Sequence, residues 1–172
     1  MILAPHTGDS PGYTPKEIED GFLRMLAPMQ VDDRIQLPVM MSYGGQLHPG
    51  RDPERAPTNF PAVYVEFVGN MKVVDKGARK IDLAQVNVYY AVKNMRSEEE
   101  ARNGSLDTVG VQELLRAGQN ILWGSGLNMA IEILQKTRDY KWYGMDSGVL
   151  VWVQEWTLGN FHIYQPKDTN VL

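Results

Sequence analysis

The stretch "SGVLVWVQEWTLGNF", residues 147–161, constrains the fold more than any other part of the chain. Strand alternation places Leu150, Trp152, Gln154, Trp156 and Leu158 on one face. It places Val149, Val151, Val153, Glu155 and Thr157 on the other. Both faces begin apolar, and one carries two tryptophans. A strand of a small antiparallel sheet ordinarily leaves one face to water, so the second face here needs cover. The polar pair Gln154–Glu155 interrupts both faces at once and predicts that the dry part of the strand ends there.

The surrounding elements follow from local signals. Thr14 is placed to cap a helix, Pro15 fits its first position, and Glu17 completes a capping box. Ile18, Phe22, Met25, Leu26 and Met29 then recur at helical spacing, and Pro28 ends or bends the last turn. Residues 35–43 read as a weak strand that Pro38 confines to an edge. Residues 62–68 and 81–94 read as strands joined by a hairpin that turns at Lys76–Gly77. In the longer one Ala84, Val86, Val88, Tyr90 and Val92 face the core, while Gln85, Asn87 and Lys93 look outward. Ser97 and its glutamates start a short helix that Asn103–Gly104 stops. Asp107 is placed to cap a longer one, with a stripe of Val111, Leu114, Leu115, Gly118, Ile121 and Leu122. A strand over 129–144 puts Met129, Ile131 and Ile133 on one face.

With 172 residues there is enough chain for one domain and its core. The expected layout is an extended arm at 1–13, a single α+β domain at 14–164 and a polar tail at 165–172. The domain is read as an antiparallel, mostly meander sheet of about five strands flanked by two main helices. It is interrupted by the loop "GGQLHPGRDPERAPTNFP" at 44–61, whose four prolines and three glycines suit a functional or irregular segment.

The chemistry is sparse. A net charge of −4 lacks the basic excess of a general nucleic-acid binder. The absence of cysteine removes disulfide, thiol and zinc-ribbon chemistry. No secretory leader or run of membrane-spanning length is present, so a soluble, cytoplasmically made protein is expected. His6, His48 and His162 fall in arm, loop and C-terminal region without metal-ligand spacing. "WGSGLN" follows a helix and reads as its C-cap, not as a phosphate loop. No nucleophile elbow or calcium loop appears. The expectation is therefore no enzyme, no cofactor and no metal. "KTRDYKWYG", residues 136–144, interleaves bases with aromatics. That composition can grip a single nucleic-acid strand, but it suits the surface end of a hairpin better.

What remains is surplus apolar surface. Two helices cover about one face of five strands, which leaves residues such as Tyr64, Tyr89, Trp152 and Trp156 for the other. Exposed aromatic patches mark interaction sites. The candidate subunit or partner interface is Trp152, Trp156, Tyr140, Trp142 and Tyr143, with His48, Arg51 and Arg55 from the long loop. The tryptophan face of 147–161 is expected to meet either the helices or a neighbouring subunit.

One resemblance adds to this. The strand "VNVYYAVKN", the acidic turn with "EARNG" and the helix "GVQELLRAGQNIL" follow one another in an order that resembles the Mu-like prophage minor tail proteins. These are similar to the tail terminators of long-tailed phages. The resemblance spans roughly residues 60–160. It rests on Arg102, Gly104, Gly110, Val111, Glu113, Leu114 and Leu115, which are packing and turn residues. It implies a helix-flanked antiparallel sheet assembled as a homohexameric ring at the tail–neck region of a virion, made in the host cytoplasm. Its implied partners are other copies of itself, the tail tube protein, the sheath where one exists, and a head-completion protein. DNA would pass through the lumen without specific binding. Another neck connector, or a soluble nucleic-acid-binding module, is the alternative.

Overall fold

The computed structural model describes residues 13–47, 59–75, 80–94, 96–129, 131, 134–144 and 148–161. The N-terminal arm up to Gly12, most of the long loop, the turn at Lys76–Gly77 and the C-terminal tail lie outside the described residues.

Helix α1, Pro15–Leu26, starts as the sequence predicts. Thr14 Oγ1 accepts from the Glu17 N–H at 3.3 Å, and the Thr14 N–H donates to Glu17 Oε2 at 2.7 Å. Its buried face is Ile18, Gly21, Phe22 and Leu26. A single further turn, α2 at Pro28–Val31, buries Met29. Strand β1 is Val39–Ser42, β2 is Ala62–Asp75 and β3 is Lys80–Lys93. Helices α3, Glu98–Asn103, and α4, Val111–Leu122, come next, and strands β4, Gln135–Gly144, and β5, Val149–Phe161, complete the fold.

The five strands lie in the order β1-β2-β3-β5-β4. β1 runs parallel to β2, and every other neighbouring pair is antiparallel. The fold is α+β, but the sheet is mixed and is not a meander. Two features cause the departure. β1 and β2 point the same way, with Val39 opposite Ala62 and Ser42 opposite Val65. The hairpin of β4 and β5 docks through β5, which pairs with β3 on one side and β4 on the other. The strand with two apolar faces thus takes an interior position, where both its edges and both its faces are covered.

The helices pack on one face of the sheet. There Val63, Val65, Val86, Val88, Tyr90, Leu150, Trp156 and Leu158 meet Phe22, Leu26, Val111, Leu114 and Leu122. Tyr13, expected in the arm, belongs to this core as well. α4 can lie close because Gly118 has no side chain: a Cβ there would stand 1.9 Å from the Tyr90 hydroxyl. Its start also depends on a close approach, because a Cβ on Gly110 would stand 2.2 Å from the Gly104 nitrogen. Gly110, not Asp107, occupies the N-cap of α4, and no side chain caps it. The preceding loop is fastened instead by Arg34, whose guanidinium donates to the carbonyls of Leu106 and Thr108 and to Glu113 Oε1.

Two readings of the strands change. The segment from 129 does not enter the sheet until Gln135. Leu127 and Asn128 both adopt φ of 54°, and the Leu134 N–H returns to the Ser125 carbonyl at 3.0 Å, so the described residues of 124–134 are irregular, while Ile133 lies outside the described residues. Leu127, Met129 and Leu134 are buried from that connection, so their apolar character reflects plugging of the core rather than strand alternation. The dry part of β5 also does not end at Gln154–Glu155. Gln154 is 0% exposed, and Trp156 and Leu158 beyond it are buried.

Candidate functional site

The face of the sheet turned away from the helices carries a second cluster: Leu47, Ala62, Tyr64, Tyr89, Ala91, Val149, Val151 and Val153. Val39, Tyr43, Phe60, Tyr140 and Trp142 pack around it, each only partly buried. Pairing register explains how separate strands assemble it. Tyr64 on β2 lies opposite Tyr89 on β3, which lies opposite Val153 on β5, which lies opposite Tyr140 on β4. The two ends of the long connection supply the rest: Tyr43 and Leu47 where it leaves β1, and Phe60 where it reaches β2.

The aromatic rings interlock. Tyr43 stacks on Tyr89 with centroids 4.6 Å apart and meets Tyr64 and Trp142 edge-on at 6.1 Å each. Trp142 lies 5.0 Å from Tyr89. Tilted and edge-on pairs of this kind add specificity to the area they bury. A polar row runs alongside. The Tyr89 hydroxyl donates to the Glu66 carboxylate and accepts from Asn87 Nδ2 at 3.4 Å. Gln85 Nε2 donates to Asn87 Oδ1 at 3.3 Å. Burial, reinforced by the Tyr43 ring beside it, pushes the Tyr64 phenol up to about 12. Burial and the hydrogen bond to Glu66 push Tyr89 higher still. Burial, helped by the nearby Glu155 charge, raises Tyr140.

The three cations of the "KTRDYKWYG" segment each already face a carboxylate. Arg138 makes a bidentate pair with Glu155, at 2.6 and 2.8 Å, which raises the guanidinium's affinity for its proton. Lys136 lies 2.6 Å from Asp139 and donates to Gln119 on α4. Lys141 lies 2.5 Å from Glu98 on α3, and together with Arg102 it holds the Glu98 carboxyl below its ordinary value. Arg138 also rests over the Tyr140 ring, 4.8 Å from its centroid. A phosphate backbone arriving here would have to displace these carboxylates.

The interface candidates therefore separate. Tyr140 and Trp142 come together on the helix-free face. Trp156 points to the helices and is completely buried, so it is a core residue and offers no surface on this chain. Trp152 is on the same face, partly buried against that core. Both were expected beside Tyr64 and Tyr89. Alternation puts them on opposite faces instead, because Trp152 pairs with Tyr90, not Tyr89. Tyr143 is placed by its backbone pairing with Val151. His48, Arg51 and Arg55 lie outside the described residues. Tyr43 and Glu66 escaped sequence reading, although the register of β1 and β3 against β2 would have revealed them.

A separate cleft of about 290 Å³ lies between Arg34, Gln36, Phe60, Pro61, Lys93 and Asp107. Its one guanidinium is already committed to the 105–108 loop. Among the described residues no His, Asp and Glu cluster could hold a metal, and no helix is long and apolar enough to cross a membrane.

No curated protein matches the chain. The family described as "Bacteriophage Mu, Gp37" matches residues 16–158, a span running from the first turn of α1 nearly to the end of β5. That span takes in most of α1, the glycine-stitched α3–α4 junction, strands β1 to β4 and most of β5, and the chain belongs to the bacteriophage Mu Gp37 family.

Proposed function

We propose that this protein is a phage tail terminator: a virion structural protein, without catalytic activity, that forms a homohexameric ring on the finished tail tube. In this role it stops tube polymerisation and offers a surface to the head-completion protein at the neck. Its partners are its own copies, the tube protein and, in a contractile tail, the sheath. DNA passes through the ring without specific recognition.

The observation that carries the reading is the helix-free face of the sheet in a chain of this phage family. Tyr43, Tyr140 and Trp142 lie there, partly buried, over the buried rings of Tyr64 and Tyr89. A ring is a heterologous assembly in which different surfaces of one subunit meet, and a domain with apolar character on both sides of its sheet suits it. Another neck connector remains the second reading, since it would draw on the same family membership. The nucleic-acid module loses ground because Lys136, Arg138 and Lys141 are each paired with a carboxylate.

Electron microscopy of particles made without this protein tests the proposal. Overlong or headless tails support termination, and tails of normal length joined to heads refute it.

A further inference from the structure

The α3–α4 junction, residues 104–110, closes on itself before it closes on the rest of the chain. Gly104 takes a left-handed φ of 79°, which glycine adopts without strain. A Cβ there would stand 2.7 Å from both the Gly110 nitrogen and the Thr108 carbonyl oxygen, so the two glycines form a narrow neck. Within the loop the Ser105 N–H donates to the Thr108 carbonyl at 2.8 Å, and the Ser105 and Thr108 hydroxyls lie 2.8 Å apart. No side chain from Ser105 to Thr108 belongs to either core cluster, and Leu106 is 95% exposed. Val109 rests against the core but is only partly buried.

Every hydrogen bond that joins Ser105–Thr108 to another part of the described chain comes from Arg34. Its Nη1 donates to the Leu106 carbonyl, and its Nη2 donates to the carbonyls of Ser105 and Thr108. Its Nε donates to Glu113 Oε1 at 3.1 Å, in the first turn of α4. The base of Arg34 is itself fixed. Asp32 Oδ1 accepts from the N–H groups of Arg34 and Ile35 at 2.9 Å each, and Ile35 is buried. A fixed post thus holds a loop without an apolar anchor, and the post's side chain is 41% exposed to competing water. Segments held by exposed hydrogen bonds, with few buried apolar contacts, open locally at a free energy below that of global unfolding.

We propose that residues 104–110 form a hinged flap, latched by the Arg34 guanidinium, that opens as a unit while the sheet and helices stay folded. Closed, the flap gives Asp107, Thr108 and Val109 to the lining of the 290 Å³ cleft, together with Ile35 and Val92 of the core. Opening takes that wall away and releases the link to Glu113 at the start of α4. The latch is specific to a guanidinium, because one planar fork serves three carbonyls and a carboxylate. A lysine ammonium is a single point of charge and cannot match that set. The device belongs to the single subunit and does not depend on assembly.

Hydrogen exchange on the full chain tests it, with Arg34→Ala and Arg34→Lys beside the wild type and with β3 as internal reference. Charge-assisted bonds are lost in Arg34→Ala, so exchange across 104–110 should rise at least about tenfold while β3 keeps its wild-type rate. Arg34→Lys should behave like Arg34→Ala. Guanidinium ion, added to Arg34→Ala well below denaturing concentrations, should restore protection to 104–110, whereas ammonium at the same ionic strength should not. Unchanged exchange of the flap in Arg34→Ala, or full protection in Arg34→Lys, overturns the latch. Equal acceleration of 104–110 and β3 overturns it too, since the flap would then open only with the whole domain. Failure of guanidinium to restore any protection removes the guanidinium-specific fork and overturns the proposal.

Discussion

The Tyr90 hydroxyl on β3 donates to Gln154 Oε1 on β5 at 2.9 Å, inside the core beneath the helices. Gln154 Nε2 passes the link on to the Leu115 carbonyl of α4 at 2.9 Å. One buried amide thus ties two strands to a helix. Replacing Gln154 by Ala would leave the buried Tyr90 phenol without its acceptor and remove the side-chain link to α4. The expected cost is about 1–3 kcal/mol, read as a lowered urea midpoint by tryptophan fluorescence. Tyr90→Phe should cost less, since Gln154 keeps its bond to Leu115.

Trp156→Ala should destabilise the subunit itself by about 3–5 kcal/mol, because it opens a cavity in the helix-facing core. Trp156→Phe should be much milder, since the indole N–H it removes has no partner among the described residues. Thermal melts of the two variants check this. If Trp156→Ala melts like the wild type and only dissociates a ring, the core assignment is wrong.

Alkaline titration should separate the tyrosines. In the unfolded chain each phenol ionises near the ordinary value of 10, whereas in the fold Tyr64 holds its proton to about 12 and Tyr89 and Tyr90 hold theirs longer. The folded state therefore binds more protons above pH 10. The stability from this source is complete below pH 10 and declines as pH rises through the folded values. Absorbance at the phenolate band should show a late group of tyrosines that ionises together with loss of tertiary structure. Early titration of all eight would contradict the burial of this face.

Deletion of residues 46–58 should weaken the fold as well as any assembly. The proline- and glycine-rich composition suits an external segment, but the deletion begins at Gln46 and includes Leu47, which is buried in the second cluster. A drop of about 2–5 kcal/mol is expected from the loss of a buried leucine alone. Unchanged unfolding of the deletion variant would restore the loop to a purely external role.

Much of the architecture was legible where local chemistry decides it. The capping box at Thr14, the stripe of α4 and the two faces of β5 all follow from short-range spacing. Pairing order was not legible, because no local signal tells β4 to dock through β5 or β1 to run parallel to β2. The same limit hid the second aromatic cluster. Tyr43, Tyr64, Tyr89 and Trp142 come from four strands or their margins, and only register brings them into contact. Met129 misled for a related reason: an apolar residue reports burial, and a core can be filled from an irregular connection as well as from a strand. Gln154 read as the end of dryness because the sequence cannot show a partner sixty-four positions away.

The position of β5 bears on when this protein can exist at all. It is the last of the strands to leave the ribosome, yet it forms the seam between β3 and β4 and supplies Trp156 and Leu158 to the core. A chain that stops before β5 leaves one edge of β3 bare and removes Leu150, Trp156 and Leu158 from the core under the helices. The sheet is thus complete only once β5 has joined β3 to β4, and a subunit truncated within β5 lacks that seam. A growing structure would then draw only on full-length copies, a form of quality control built into strand order.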